Sequence, residues 1–137
     1  PTIAVGLTGQ TLDDHLAKGN AMSVAIAMIE TREALAALDD ILSLDGIDAV
    51  FVGPSDLSIA LSKGANVNPS RADVIDALDH VKQRAHAHKK AACCFAPTPS
   101  LAKDLAQKGY DLMAIGTDFS QLRSGARAQI DVARGRV

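Results

Sequence analysis

The sequence lacks an excess of one charge and lacks a long apolar segment. Its 14 basic and 16 acidic residues are interleaved and give a formal net charge of -2, so neither nucleic acid nor an anionic membrane surface is an expected partner. The apolar runs are interrupted well before the roughly 18 residues that a membrane-spanning helix needs. Residues Pro1 to Gly9 lack the basic start and the longer apolar stretch of a secretory signal. These absences predict a cytoplasmic globular protein of one domain.

Cysteine is also scarce. The two cysteines, Cys93 and Cys94, are adjacent in an apolar segment that is typical of a strand. Successive side chains of a strand point to opposite faces, so a disulfide between these two residues is not expected. We predict two reduced, buried thiols, as in a cytoplasmic protein, with nothing nearby that would lower a thiol pKa.

The sequence does contain four apolar runs that alternate with segments of helical periodicity. Runs that are apolar almost throughout are typical of parallel strands covered on both faces. The predicted strands span residues 23–30, 49–54, 90–97 and 112–118. The predicted helices span residues 12–18, 32–44, 70–88, 98–109 and 121–133. Gly19 is expected to close the first helix, and Thr98 to open the fourth as its N-cap, with proline in the first turn.

This order of elements favours an α/β fold that is half of an eight-stranded (β/α)8 barrel. The chain has four consecutive βα units and begins on a helix, whereas a doubly wound domain more often begins on a strand and carries a glycine-rich phosphate loop. Gly53-Pro54-Ser55-Asp56 is a strand-to-loop exit and matches neither a dinucleotide-binding fingerprint nor a P-loop. A half barrel leaves two open edges. Residues 1–137 are therefore expected to form a single partial domain of an incomplete polypeptide, which another copy or another chain completes.

Two carboxylates lie where buried strands should end. Glu30 closes the first apolar run, and Asp56 follows the second. In a right-handed βαβ unit the carboxyl ends of the two parallel strands lie side by side, so Glu30 and Asp56 should face a shared cavity. Two carboxylates repel each other unless a cation lies between them. The pair therefore predicts a hard divalent metal held by oxygen ligands.

Each acid also has a simpler interpretation. Glu30 would be favourable near the positive end of the following helix dipole. Asp56 would suit the N-cap position of a helix that starts at Leu57. The pairing at neighbouring strand ends favours the metal interpretation over both.

Several segments resemble the metal-dependent, class II pyruvate aldolases. This family includes 4-hydroxy-2-oxoheptanedioate aldolase and 2-dehydro-3-deoxyglucarate aldolase, and it shares a superfamily with the citrate lyase β chain. The segments that carry the resemblance are Met28-Ile29-Glu30-Thr31, Leu38-Asp39-Asp40-Ile41-Leu42 and the run from Asp45 to Ser58. Residues 90–95 and 114–118 resemble the family's seventh and eighth strands. The resemblance implies strands five to eight, the C-terminal half of a (β/α)8 barrel.

The resemblance also implies a carbon–carbon lyase. Glu30 and Asp56 would bind Mg²⁺, Mn²⁺ or Co²⁺, and a 2-oxo acid such as pyruvate would chelate the metal. The metal would stabilise the pyruvate enolate formed when a 4-hydroxy-2-oxo acid is cleaved to pyruvate and an aldehyde. Backbone amides around Ser55 would hold the substrate carboxylate. The implied substrate-binding residues are Gly53, Pro54, Ser55, Asp56 and Phe95.

The family's acid–base groups find no match in this chain. The arginine that polarises the keto oxygen and the histidine that handles protons belong to the first half of the barrel, so we assign no catalytic residue here. The histidines of this chain are expected on the surface or at a helix end: His15, His80, His86 and His88. The last two are two residues apart, hence on different helix faces, which argues against a shared metal site.

Two alternatives stay open. A lyase acting on a citramalyl or malyl coenzyme A thioester would use the same two acids, although the Pro-Ser pair before Asp56 favours the aldolase. The other alternative is a non-catalytic half barrel that needs a partner chain, or that binds metal and oxo acid without turnover. Family members usually form oligomers, so the resemblance also implies a homo-oligomer.

Overall fold

The computed structural model describes residues 6–136. Between Leu12 and Ala133 it has four strands and seven helices, numbered here in chain order. The strands are β1 (Ile26–Ile29), β2 (Ala49–Val52), β3 (Ala91–Ala96) and β4 (Leu112–Ile115). The helices are α1 (Leu12–Met22), α2 (Arg32–Ala36), α3 (Leu38–Leu42), α4 (Pro54–Leu61), α5 (Ala72–Ala87), α6 (Pro99–Gln107) and α7 (Asp118–Ala133). Residues 1–5, part of the stretch that argued against a secretory signal, lie outside the described residues.

The four strands form one parallel sheet in the order β1-β2-β3-β4. Each strand pairs with its neighbours in sequence: Ile29 lies opposite Val52, and Val52 lies opposite Cys94. Helices connect successive strands, as a parallel sheet requires. The predicted α/β fold of four parallel βα units is confirmed, and each strand is shorter than the apolar run that predicted it.

One face of the sheet is covered by helices, and the other is not. The residues whose side chains share a core with the helices are Ile29, Val50, Val52, Ala92, Cys94 and Ala96. Strand side chains alternate between the two faces. On the opposite face Ile26 is 44% exposed, Met28 52% and Leu112 51%. An apolar sheet with helices on a single face is what half of a barrel provides, because in a closed barrel the second face fills the interior.

The segment predicted as one helix over residues 32–44 is two short helices. Ala37 has φ -93° and ψ 14°, which ends α2 and starts α3. The side chain of Thr31 caps α2 by accepting a hydrogen bond from the N–H of Ala34 at 3.0 Å. The break lets Leu38 and Leu42 pack into the core, where each is at most 2% exposed.

Two helix boundaries differ clearly from the predictions, the others agree to within about two residues, and one helix was missed. The prediction that Gly19 closes the first helix is wrong, since α1 continues to Met22. Helix α7 begins at Asp118, because Thr117 and Ser120 form a capping box ahead of it. Helix α4 begins directly after β2, where a loop was expected. Pro54 is its first residue, and the fixed φ of proline suits the first helical turn.

Helices α1 and α7 contain no buried side chain. Large apolar side chains on α7 face solvent, among them Phe119 and Leu122. Within residues 6–136, no helix combines the length and the hydropathy needed to cross a membrane.

Asp111 joins three elements at the N-terminal edge of the sheet, just ahead of β4. Its Oδ2 accepts a hydrogen bond from the N–H of Ala92 at 2.8 Å and lies 2.9 Å from Nε2 of His86. The backbone hydrogen bond first, and the histidine second, lower the pKa of the Asp111 carboxyl group. The ionised carboxylate therefore ties β3 and α5 to the start of β4.

Replacing Leu42 should test the helix-covered core. We expect Leu42→Ala to reduce the free energy of unfolding by about 2–5 kcal/mol, because the side chain is fully enclosed and the cavity cannot fully collapse. Leu44→Ala is the matched control, since Leu44 is 56% exposed, and it should change the free energy of unfolding by less than about 0.5 kcal/mol. Denaturant-induced unfolding measures both values. Equal losses in the two variants would contradict the assigned core.

Asp111 should make stability depend on pH. Its pKa is lower in the folded chain, so the carboxylate stabilises the fold above the unfolded pKa of about 3.9 and loses this effect as pH falls through the folded pKa. Asp111→Asn should therefore lower the free energy of unfolding at neutral pH, and the difference from wild type should shrink towards about pH 3. Asp104→Asn, on the exposed side of α6, controls for loss of one charge. A difference that does not vary with pH would show that the charge is unimportant.

Candidate metal and substrate site

The carboxyl ends of β1 and β2 lie at the same level. Their last residues, Ile29 and Val52, pair with each other, so Glu30 and Gly53 follow side by side at the edge of the sheet. Ile29 is fully buried beneath the helices. Because side chains alternate, Glu30 is directed to the uncovered face.

Gly53 marks the point where two carboxylates meet. A Cβ atom placed on Gly53 would lie 2.8 Å from Oε2 of Glu30 and 3.5 Å from Oδ2 of Asp56. Both oxygens therefore lie within 3.5 Å of one point, and their separation is at most twice that distance. The structure thus brings the two predicted acids together, with Glu30 half-buried and Asp56 exposed.

Asp56 reaches this point from the first turn of α4. The N-cap residue of α4 is Gly53, which has no side chain to cap the helix, and its carbonyl accepts a hydrogen bond from the N–H of Leu57 at 2.9 Å. The N-cap interpretation of Asp56 is therefore wrong. The uncapped first-turn N–H groups and the positive end of the helix dipole favour an anion beside Ser55 and Asp56.

Glu30 is not the residue that caps the following helix. Thr31 has that role, through the hydrogen bond that its hydroxyl accepts from Ala34. Glu30 lies one residue outside the cap and is half-buried, and the acid in the first turn of α2 is Glu33. Capping by Glu30 is therefore excluded, whereas its favourable interaction with the helix dipole stays open.

The donor atoms suit a hard divalent cation. Mg²⁺ is commonly held by one or two carboxylates, with water and substrate oxygens in the remaining positions. Among residues 6–136, no group of three or more histidine, cysteine, aspartate or glutamate side chains is placed to hold a metal ion. Glu30 and Asp56 would therefore leave several positions open to other ligands. The space between them is one that a side chain at position 53 would fill.

Comparison with known proteins decides the family. The profile described as HpcH/HpaI aldolase/citrate lyase matches residues 8–125. The chain belongs to this family. It is 42% identical over 120 residues to the hydroxypyruvate/pyruvate aldolase of Rhizorhabdus wittichii, covering 88% of this chain and 48% of that protein. It is 34% identical over 121 residues to the 5-keto-4-deoxy-D-glucarate aldolase of Escherichia coli, covering 88% of this chain and 46% of that protein.

A solved structure supports the same assignment. The chain superimposes with a TM-score of 0.78 and 26% identity on an HpcH/HpaI aldolase/citrate lyase family protein from Burkholderia cenocepacia, covering 88% of this chain and 46% of that one. The chain spans about half the length of the curated relatives that it matches. The predicted resemblance to pyruvate aldolases of this superfamily is confirmed.

Phe95 lies at the same end of the sheet as the two acids. Cys94 lies opposite Val52, so Phe95 lies at the level of Gly53, beside the end of β2. It is half-buried, and Ala114 of β4 is its partner on the other side. Its position at the mouth is compatible with a substrate contact, which stays a prediction for this family member.

A buried serine that the sequence analysis did not identify positions α4. Ser58 is fully buried, and its hydroxyl donates to the carbonyl of Ser55 at 2.7 Å and accepts from the N–H of Asn68 at 3.0 Å. Arg71 donates to the carbonyl of Ser58 at 3.4 Å. These contacts tie the segment after α4 back onto the turn that carries Asp56. Nothing in the sequence pattern separates Ser58 from an exposed helical serine.

The cysteines behave as predicted. Both are buried free thiols. Burial raises the pKa of Cys94 to about 12, and burial, followed by the charge of Asp111, raises that of Cys93. Both thiols are therefore protonated at neutral pH and are poor nucleophiles.

The histidines at the C-terminal end of α5 lie away from the two acids, and His80 is exposed, as expected. His86 pairs with Asp111 at the N-terminal edge of the sheet. His88, the residue that ends α5, lies 3.4 Å from Oδ1 of Asp39. They do not share a partner, as their spacing predicted. His15 is only half-exposed, and its Nδ1 is enclosed, so the expectation of a surface position holds for part of its ring.

Substitution at Gly53 should test the geometry of the two acids. Gly53 has φ -95°, which alanine adopts without strain, but the added methyl group would displace Oε2 of Glu30. We expect Gly53→Ala to weaken Mn²⁺ binding by about tenfold or more, with the fold retained.

Gly46→Ala is the matched control. A Cβ at Gly46 meets nothing within 4 Å, so this variant should bind Mn²⁺ like the parent chain. Isothermal titration with Mn²⁺, with circular dichroism as the check on folding, compares the three proteins. Unchanged Mn²⁺ affinity in Gly53→Ala would remove the two acids as joint ligands.

Proposed function

We propose that this chain supplies the metal- and substrate-binding half of a carbon–carbon lyase that cleaves a 4-hydroxy-2-oxo acid to pyruvate and an aldehyde. The observation that carries the proposal is the convergence of Glu30 and Asp56 on the space above Gly53. This space lies at the carboxyl ends of parallel strands, the edge at which barrel enzymes have their active sites. The 42% identity to an aldolase named for hydroxypyruvate and pyruvate supports the substrate class.

The residues divide the binding task between them. The two carboxylates would hold Mg²⁺, Mn²⁺ or Co²⁺, which would supply a Lewis acid next to the keto oxygen of the substrate. The N–H groups of Ser55 and Asp56 at the start of α4 would orient the substrate carboxylate, since oriented donors stabilise an anion without reorganisation. Gly53 leaves room for both, and Pro54, which is buried, fixes the turn. Phe95 would contact the substrate from the next strand.

The proton-transfer groups would come from outside this chain. His86 and His88 lie at the opposite edge of the sheet from the two acids. The open apolar face, with Ile26, Met28 and Leu112, offers a surface for the other half of a barrel. If the other half of a barrel covered that face, the carboxyl ends of its strands would lie at the same edge as Glu30. A partial domain, completed by the first four βα units and assembled into a homo-oligomer, accounts for the exposed faces of the sheet and of α7.

The test uses a chimera in which this chain replaces the matching half of the Rhizorhabdus wittichii aldolase. Pyruvate release from a 4-hydroxy-2-oxo acid is measured with Mn²⁺ and with EDTA. We expect metal-dependent turnover that falls about 100-fold or more in Glu30→Gln or Asp56→Asn, because each substitution removes one anionic ligand. Glu33→Gln, three residues beyond Glu30 on the exposed part of α2, is the matched control and should be as active as the parent.

The isolated 137-residue chain provides the second part of the test. It should bind Mn²⁺ and pyruvate without releasing product from the 4-hydroxy-2-oxo acid. Turnover by the 137-residue chain alone would overturn the assignment of the acid–base groups to the other half. Cleavage of a malyl or citramalyl thioester by the chimera, in place of the oxo acid, would favour the coenzyme A alternative.

A further inference from the structure

A cavity of about 300 Å³ lies between α5 and α6. Its apolar walls come from both helices and from the sheet beneath them: Ile75, Leu78, Cys94, Leu101 and Leu105. Cys94 belongs to the helix-covered side of the sheet, whereas Glu30 is directed to the uncovered side. The walls also include Phe95 on the uncovered side, so the cavity lies next to the pair of acids, although neither acid lines it. It reaches the surface past Ile75 and Leu101, which are each 38% exposed.

The buried polar groups around the cavity are neutral or already paired. Lys108 also lines the cavity, but it is an exposed residue whose ammonium group stays in water. The hydroxyl of Tyr110, a residue that is 5% exposed, donates to the carbonyl of Leu78 at 2.9 Å. Asp79 forms an ion pair with Lys82 at 3.1 Å. Burial raises the pKa of Cys94 to about 12, so its thiol carries no charge at neutral pH. An ion placed against the buried walls would find no unpaired opposite charge there, whereas an uncharged occupant gives up no ionic hydration on entering.

The size of the cavity sets the class of occupant. Protein interiors have few voids larger than a water molecule, whereas small-molecule sites begin at about 300 Å³ and are lined mostly by apolar side chains. A cavity of this volume accommodates a single ring system or a short branched chain of roughly ten non-hydrogen atoms. Water alone would be held poorly, because apolar walls offer it too few partners.

We propose that this cavity is a binding site for a compact, uncharged apolar molecule. The walls also include Pro54 and Ser55, the first two residues of α4, which directly precede Asp56. An occupant would therefore pack behind the turn that carries one of the two acids. The cavity shares Pro54, Ser55 and Phe95 with the substrate site proposed above, but it contains neither Glu30 nor Asp56, so its occupancy can be tested without metal or turnover.

Indole is a suitable probe because it is uncharged and fills most of such a volume. We expect saturable binding to the 137-residue chain by isothermal titration, with a dissociation constant of about 1 mM or tighter for a ligand of this size. In spectra of leucine methyl groups, the signals of Leu78, Leu101 and Leu105 should shift on addition of indole. The signals of Leu38 and Leu42, in the core beneath α3, should not.

Substitutions that fill the cavity provide the decisive test of indole binding. Leu101→Trp should occupy the cavity from the surface and weaken indole binding at least tenfold, and Ile75→Trp should do the same from the other helix, which guards against misfolding of either variant. Leu44→Trp, on an exposed residue outside the cavity, is the control and should bind like the parent. The proposal is wrong if indole does not saturate, if both filled variants bind it normally, or if the shifts appear at Met28 and Leu112 on the open sheet face.

Discussion

The parallel register between β1 and β2 is the constraint on which the rest of the site depends. It ends the two strands at one level and so places Glu30 beside Gly53. Helix α4 then begins without any intervening loop and brings Asp56 to the same place. A shift of one residue in the pairing of β1 with β2 would turn the side chain of Glu30 towards the helices. The two acids therefore meet because of the hydrogen bonding between the backbones of β1 and β2.

The two faces of the sheet have different roles. The helix-covered face contains the enclosed aliphatic residues and accounts for most of the stability of the unit. The opposite face ends in Glu30 and Phe95 and stays open to solvent across Ile26 and Met28. A stable unit can therefore present an incomplete site, since few of the groups that hold the fold together belong to it. The comparisons agree, because they match a protein about twice as long.

Much of this could be predicted from the sequence, and the failures have physical reasons. Apolar runs locate the four strands because parallel strands are apolar on both faces, and Thr98 was identifiable as a cap from its hydroxyl and the proline after it. Helix α4 was missed because Pro54 suits a bend as well as a first helical turn. The break at Ala37 leaves no signal, since alanine and its neighbours favour helix and only packing separates α2 from α3. Gly19 is tolerated inside α1, which has no buried face to define its end.

The order of the strands has a consequence for how the chain folds. Every strand pairs with the one made just before or just after it, so the segments that must find each other are separated by a single helical connection. The entropy cost of closing such a connection grows only slowly with its length. Each new strand and its helix can dock onto the growing edge as synthesis proceeds, and pairs that are already formed need not be broken when the next unit arrives.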